Sequence, residues 1–301
     1  TDIIGHHNMN PTNLRTAHNQ FKNYLKDNKH STSTIVAYGK DIEQLVNFLE
    51  ELKKNHVHEV TKDDLEAFLA KMQKDGYTPK SISRKLNSTR TFYRFLKVSE
   101  YVTDDPSLLV SHPQYQLAPP RILAPTEYRA LRDAARNDPR MFAVIELLLQ
   151  TGIRIGELAA LKLSDIEKDK IHIRPVEKHE ERTVPLNKRA AEALNRYKEV
   201  RPKTPLSGAK TPTNHLFITK SGKPFLIRNI RTAIERYLRM CEIKNAKVND
   251  LRHTFVAHHL KHGVSLVLIS KMLGHKRLST TERYLEYVKD RAKETAVLSE
   301  L

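Results

Sequence analysis

The chain has 301 residues, with 52 lysines and arginines against 35 aspartates and glutamates, a formal charge of +17. That length allows two domains, and that charge favours a polyanionic partner: nucleic acid, or less often an anionic membrane face. The single cysteine, Cys241, excludes an internal disulfide framework and a cysteine-based zinc site. No apolar run is long enough to span a bilayer and no secretory leader opens the chain, so a cytoplasmic protein is expected.

Residues 1–11 read as a flexible lead-in, with His6 and His7 in a mobile polar tail rather than a metal site. Residues 12–103 carry four helical patterns. Leu14, Ala17, Phe21, Tyr24 and Leu25 mark the first; Ile35, Tyr38, Ile42, Leu45, Val46 and Leu49 mark the second. Leu65, Phe68, Leu69 and Met72 mark the third, capped by Thr61 and stopped at Gly76. The fourth opens on Pro79, a good first-turn residue, and carries Ile82, Leu86, Tyr93 and Leu96. Four such helices close a small bundle. Lys80, Arg84, Arg90 and Arg94 share one broad face of the fourth. Charged helix faces are usually just solvated, but few acidic residues lie nearby in sequence, so a phosphate-tracking face is an equal reading.

Residues 104–124 read as a linker. Pro106, Pro113, Pro119 and Pro120 interrupt any helix, and such a connector is semi-rigid and extended. The second domain spans 125–301. One helix runs to about 136. Asp138-Pro139 starts another, apolar on most sides from Met141 to Leu149, which is expected to be the buried centre of the domain. It stops at Thr151-Gly152, where glycine suits a helix end. Arg154 follows at the turn into a short helix; taken alone, it reads as one half of a surface ion pair with Glu157. Residues 171–186 read as two strands around a charged turn that holds Lys178. A helix over 187–200, a proline-rich loop, a short strand over 216–219 and a helix over 227–240 follow. Arg228 and Arg231 on that last helix are candidate contacts to a DNA backbone. His258 and His262 have a helical metal spacing, but with no carboxylate beside them they read as helix-surface histidines. No metal site and no nucleotide loop are expected.

Residues 248–287 hold the densest chemistry. Arg252 offers a bidentate fork for a phosphate, His275 a ring donor, and Tyr284, after Leu278-Ser279-Thr280-Thr281, a phenol able to act as a nucleophile. Together with TGIRIGEL at 151–158 and the run from Lys178 to Val184-Pro185-Leu186, this stretch resembles the tyrosine recombinases, the family of phage integrases and Xer proteins. The resemblance is strong over 151–163, 178–186 and 249–287, and structural only in the first 120 residues. One departure stands out: the family usually has a histidine three residues before its second arginine, and here that residue is Asn249.

The resemblance implies a mainly α fold with a small β-sheet: a helical, SAM-like core-binding domain and a catalytic domain that together form a C-shaped clamp on DNA. It implies site-specific recombination without cofactor, metal or ATP. Tyr284, in register nine residues after His275, attacks the scissile phosphate. This gives a 3′-phosphotyrosyl enzyme and a free 5′-hydroxyl; a partner strand then reverses the step through a Holliday junction. Arg154, Arg252, His275 and Asn249 would meet the transition-state charge. Glu157 would brace the site and Lys178 would protonate the leaving oxygen. The implied partners are double-stranded DNA with an inverted-repeat site and further copies of the chain, a dimer per site and a homotetramer on two sites. The protein would then work at the nucleoid. A terminal set, Ala292, Ala296, Val297 and Leu298, would dock on a neighbouring subunit. The acceptor of the Tyr284 proton, the target sequence, any accessory proteins, and the choice among integration, excision and resolution are open. Two other readings stand beside this one: a type IB topoisomerase using the same chemistry, and a catalytically weak DNA-binding regulator, which Asn249 keeps alive.

Overall fold

The computed structural model describes residues 12–115, 118–175, 180–202 and 213–285. The chain divides into two units, Thr1–Leu117 and Ala118–Leu301. The lead-in 1–11, Lys178 and the terminal segment 290–301 lie outside the described residues.

The first unit is built on α1 (Leu14–Asp27), α2 (Thr32–Glu51), α3 (Lys62–Lys74) and α4 (Pro79–Val98). Each starts on a side chain that accepts an otherwise unpaired N–H: Asn13, Ser31, Thr61 and Thr78. Their apolar stripes meet in one core, where Phe21 and Phe92 pack edge to face with ring centres 5.2 Å apart. Beside it lies a buried charge. The Asp41 carboxylate on α2 is met by Lys85 Nζ at 3.1 Å, by Ser88 Oγ at 2.6 Å and by Arg84. The basic face of α4 therefore has an acidic partner that its own neighbours in sequence do not reveal. The first half of the stretch read as a linker packs back on α4. Ser107 and Val110 are buried there, and Arg90 donates to the Ser107 and Val110 carbonyls at 3.3 and 2.8 Å.

The second unit is built around α6 (Pro139–Thr151), on which Met141, Ala143, Val144, Ile145, Leu147 and Leu148 are all buried. It is wrapped by α5 (Pro125–Ala135), α8 (Lys188–Val200) and α10 (Val248–Lys261). A helix apolar on most sides is stable only when most of it is covered, and the buried carboxylate on this one, Glu146, is paired with Arg132. After α6 come α7 (Ile155–Ala160) and the antiparallel strands β1 (Lys170–Ile173) and β2 (Arg182–Pro185), paired Ile171 to Val184 and Ile173 to Arg182. The rest is α9 (Ile227–Met240), α11 (Leu266–Leu273) and α12 (Ser279–Glu282). The strand expected over 216–219 is not formed. Leu216, Phe217 and Ile218 are buried, but among the described residues 216–219 pair through one isolated bridge, Ile218 with Pro224, with another just before them between Lys162 and His215. Proline has no N–H to extend a ladder. No helix among the described residues is long and apolar enough to cross a membrane.

Candidate active site

Two left-handed glycines set the frame. Gly152 ends α6 at φ 63° and Gly274 ends α11 at φ 61°. A Cβ on Gly152 would stand 2.5 Å from the Phe255 ring, so the turn into Arg154 depends on both the backbone freedom and the missing side chain. On α10, the Asp250 carboxylate accepts from the Lys247 N–H at 2.7 Å and defines the first turn. Asn249, Arg252 and His253 then fall at i, i+3 and i+4, on one face.

Three guanidiniums gather at the C-terminal end of α11, where the last carbonyls lack helical partners and the dipole is negative. Arg182 Nε donates to Met272 O at 2.7 Å, Arg154 Nη1 to Leu273 O at 3.1 Å, and Arg252 Nη2 to Leu273 O at 2.9 Å. Arg154 Nη2 reaches Gly274 O at 3.3 Å, and Arg252 Nη1 reaches Gly152 O at 2.6 Å. The carboxylate that offsets them is Glu157. It takes both Nη groups of Arg182 at 2.8 and 2.7 Å, Arg154 Nη1 at 3.0 Å and the Arg154 backbone N–H at 2.8 Å. Burial works to raise the Glu157 pKa, but these donors, Arg182 first, pull it down to about 2. Glu157 is thus a buried carboxylate shared between two arginines, rather than half of the surface ion pair that Arg154 taken alone would suggest. Burial, then the neighbouring Arg154 charge, brings Arg252 down to about 9, still cationic at neutral pH. Among the described residues, Arg154 and Arg252 each use three of their five N–H donors in these contacts and in the bond to His275. Each therefore keeps two for an incoming anion.

His275 Nε2 lies 2.9 Å from Arg252 Nη2 and Nδ1 lies 2.7 Å from Thr281 Oγ1. Arginine only donates, so Nε2 accepts and Nδ1 carries the hydrogen. Tyr284 is 4% exposed, and its hydroxyl hydrogen-bonds His253 Nδ1. His253 Nε2 in turn lies 2.8 Å from the Asn249 amide. Burial is the main force holding both histidines at about 4; Arg283 and Arg252 add to it at His253, and Arg252 and Arg154 at His275.

Folding therefore keeps both rings neutral in a range where the unfolded chain protonates them near 6.5. The associated stability is complete above that value and is lost as pH falls toward 4. Going from pH 7.5 to 5 is expected to cost roughly 1–2 kcal/mol after allowance for the partial exposure of the rings. Thermal denaturation across that window measures it, and a flat curve would refute it.

Of the residues singled out in the sequence, the structure brings Arg154, Glu157, Asn249, Arg252, His275 and Tyr284 into one hydrogen-bonded neighbourhood. Arg231 joins Asn249, Arg252 and Lys247 around an adjoining hollow of about 300 Å³. Arg228 is exposed on α9. In the first unit Lys80 is exposed and Arg84 is held by Asp41. Arg90 and Arg94 line a hollow of about 620 Å³ with Lys97 and Tyr38. Sequence reasoning missed Arg182, His253 and Thr281. His253 was visible only as the neighbour of Arg252, and Arg182 only as part of a charged run.

Residues 121–291 match the family model described as the phage integrase family, and residues 18–100 match that of the phage integrase N-terminal SAM-like domain. The tyrosine recombinase XerC of Anoxybacillus flavithermus is 32% identical over 287 residues, covering 92% of this chain and 95% of that protein. A lambda integrase dimer bound to a COC′ core site superposes with a TM-score of 0.72 at 17% identity, over 89% of this chain and 97% of that one. A lambda integrase tetramer bound to a Holliday junction gives 0.70 at 16% identity, over 91% and 83%. At those identities the structural likeness is one of fold.

Proposed function

The chain belongs to the phage integrase family of tyrosine recombinases, and from that membership we propose that Tyr284 is the nucleophile of its reaction and that Arg154, Arg252 and His275 form the cradle for the scissile phosphate. The enzyme is a site-specific recombinase that cleaves and rejoins DNA through a phosphotyrosine intermediate; the family assignment does not favour the topoisomerase and regulator readings. The observation that carries the residue roles is the meeting of Arg154, Arg252 and His275 at one helix end, from positions up to 121 residues apart, beside a buried tyrosine. The fixed donors aimed at developing charge are the remaining N–H groups of Arg154 and Arg252, with His275 positioning Arg252 through Nε2; such a donor is worth roughly 10²–10³ in rate. Arg182 and Glu157 hold Arg154 in place. Asn249 stands at the rim, against His253.

Lys178 protonates the leaving 5′-oxygen in this reading, a role that rests on the resemblance. The substrate is double-stranded DNA with an inverted-repeat site. A dimer binds each site and a tetramer joins two through a Holliday junction, with residues 290–301 docking between subunits. Lys80, Arg84, Arg90, Arg94, Arg228 and Arg231 are assigned to the DNA backbone. Arg94 and Arg231 have the better support, since each lies exposed along a basic hollow; Arg84 and Arg90 are already engaged within their own unit. The protein would act at the nucleoid. The test is a duplex nicked close to the cleavage point, which loses a short fragment on cleavage and traps the enzyme. With neither metal nor nucleotide present, the full chain should accumulate a protein–DNA adduct at a 3′-phosphate, mapped to the peptide that contains Tyr284. An adduct on a 5′-phosphate, or none on any family-type site, would refute the reading.

A further inference from the structure

We propose that His253 accepts the Tyr284 proton as the hydroxyl attacks, and that Asn249 holds the ring of His253 for that transfer. The inference deepens the proposed function and rests on Tyr284 being the nucleophile.

The geometry is a three-member chain. The Tyr284 hydroxyl meets His253 Nδ1, the two ring centres are 5.6 Å apart, and His253 Nε2 lies 2.8 Å from the Asn249 side-chain nitrogen. Both ring nitrogens are thus engaged, one by the reacting oxygen and one by an amide. An amide presents a donor and an acceptor in nearly the same shape, and turning it over places Oδ1 against Nε2. Nε2 then carries the hydrogen, and the Nδ1 lone pair faces the phenol. After transfer the imidazolium has two N–H groups, and the amide oxygen accepts one of them. A second imidazole at position 249 would compete for the same proton. An amide neither gains nor loses one near neutral pH, so it orients the ring without titrating.

The groups facing His253 set when it accepts. Asn249 and Arg252 come from its own helix, Tyr284 and Arg283 from the segment after α12, and His275 from the turn after α11. Burial, Arg283 and Arg252 keep the ring unprotonated in the free enzyme. A neutral ring is the form a base needs. The scissile phosphate brings negative charge to this cluster and favours the imidazolium.

The step balances. The Tyr284 Oη–P bond forms and the P–O5′ bond breaks. The phenolic proton passes to His253 Nδ1, and the departing oxygen takes a proton from the general acid. On rejoining, a 5′-hydroxyl attacks phosphorus and gives up its proton to that acid group. The P–Oη bond breaks, and His253 returns its proton to Tyr284.

Single-turnover cleavage of the nicked substrate, followed from pH 5 to 10, tests the proposal. His253→Gln keeps a polar side chain but cannot take the proton, so cleavage at pH 7 should fall about 10²-fold with DNA binding unchanged. Its rate should then climb with pH toward the parent's as hydroxide replaces the missing base. Asn249→Asp places a carboxylate against Nε2 and should move the acid limb of the profile up by about one pH unit or more, which a packing role would not do. Parental rate and profile in His253→Gln, or an unmoved limb in Asn249→Asp, would overturn the proposal. Tyr284→Phe is run alongside. If it still forms adduct, the nucleophile assignment has failed; if it is inactive while His253→Gln is parental, only the base assignment has.

Discussion

Tyr284→Phe should bind its site as the parent does and form no covalent adduct, a loss of roughly 10⁴ or more in cleavage, the scale on which removing a nucleophile acts. The substitution removes one oxygen from a ring that is already buried, so the apolar packing of Phe255, Val256, Leu260, Ile269 and Leu273 around it stays filled. The structural cost is the hydrogen bond to His253, about 1 kcal/mol. A folded, binding-competent, inactive protein is therefore the expected result. Trapping on the nicked substrate and a binding titration at fixed salt read the two properties separately. Tyr287→Phe serves as the comparison and should keep the adduct. Normal adduct from Tyr284→Phe, or its loss only in Tyr287→Phe, moves the nucleophile elsewhere.

The second large effect is expected at Glu157. Its carboxylate receives four N–H groups and is 3% exposed as a residue. Glu157→Gln keeps the volume but removes the charge and turns an NH₂ toward guanidiniums that can only donate. Arg154 and Arg182 are left uncompensated at one helix end, with Arg252 close by. Removing one partner of a buried ion pair typically costs about 3–5 kcal/mol. Urea denaturation should show a loss on that scale. Because the site then has unmet positive charge, inorganic phosphate should raise the Tm of the variant more than that of the parent. A variant as stable as the parent, or equal protection of both by phosphate, would show that Glu157 is not the counter-charge of the cradle.

Local signals account for what was legible in the sequence. Thr61 and Pro79 mark their helix starts because caps and first-turn prolines act within three or four residues. The Met141–Leu149 run declares a buried helix because no polar face interrupts it. Arg154, Arg252, His275 and Tyr284 are legible as types because phosphate chemistry has few suitable side chains. What could not be read depends on distance along the chain. The basic face of α4 looks unrelieved until Asp41, 43 residues before Arg84, is seen against it. Arg182 looks like one charge among several until Glu157, 25 residues away, is seen to hold it. His253 faces Tyr284 across 31 residues, and nothing local to either says so. The strand over 216–219 fails for the complementary reason: its own residues favour extension, but its neighbours offer only single bridges.

The main-chain anchoring of the arginines has a consequence for how this enzyme tolerates sequence drift. Gly152, Met272, Leu273 and Gly274 hold Arg154, Arg182 and Arg252 through carbonyl oxygens, which every amino acid possesses. Substitution at Met272 changes a side chain and leaves its oxygen in place. Inserting or deleting one residue within α11 would rotate its last turn by about 100° relative to its buried face and carry those oxygens away from the guanidiniums. Lineages of this enzyme should thus vary at Met272 while keeping Gly152 and Gly274, and should remain intolerant of insertion or deletion within α11.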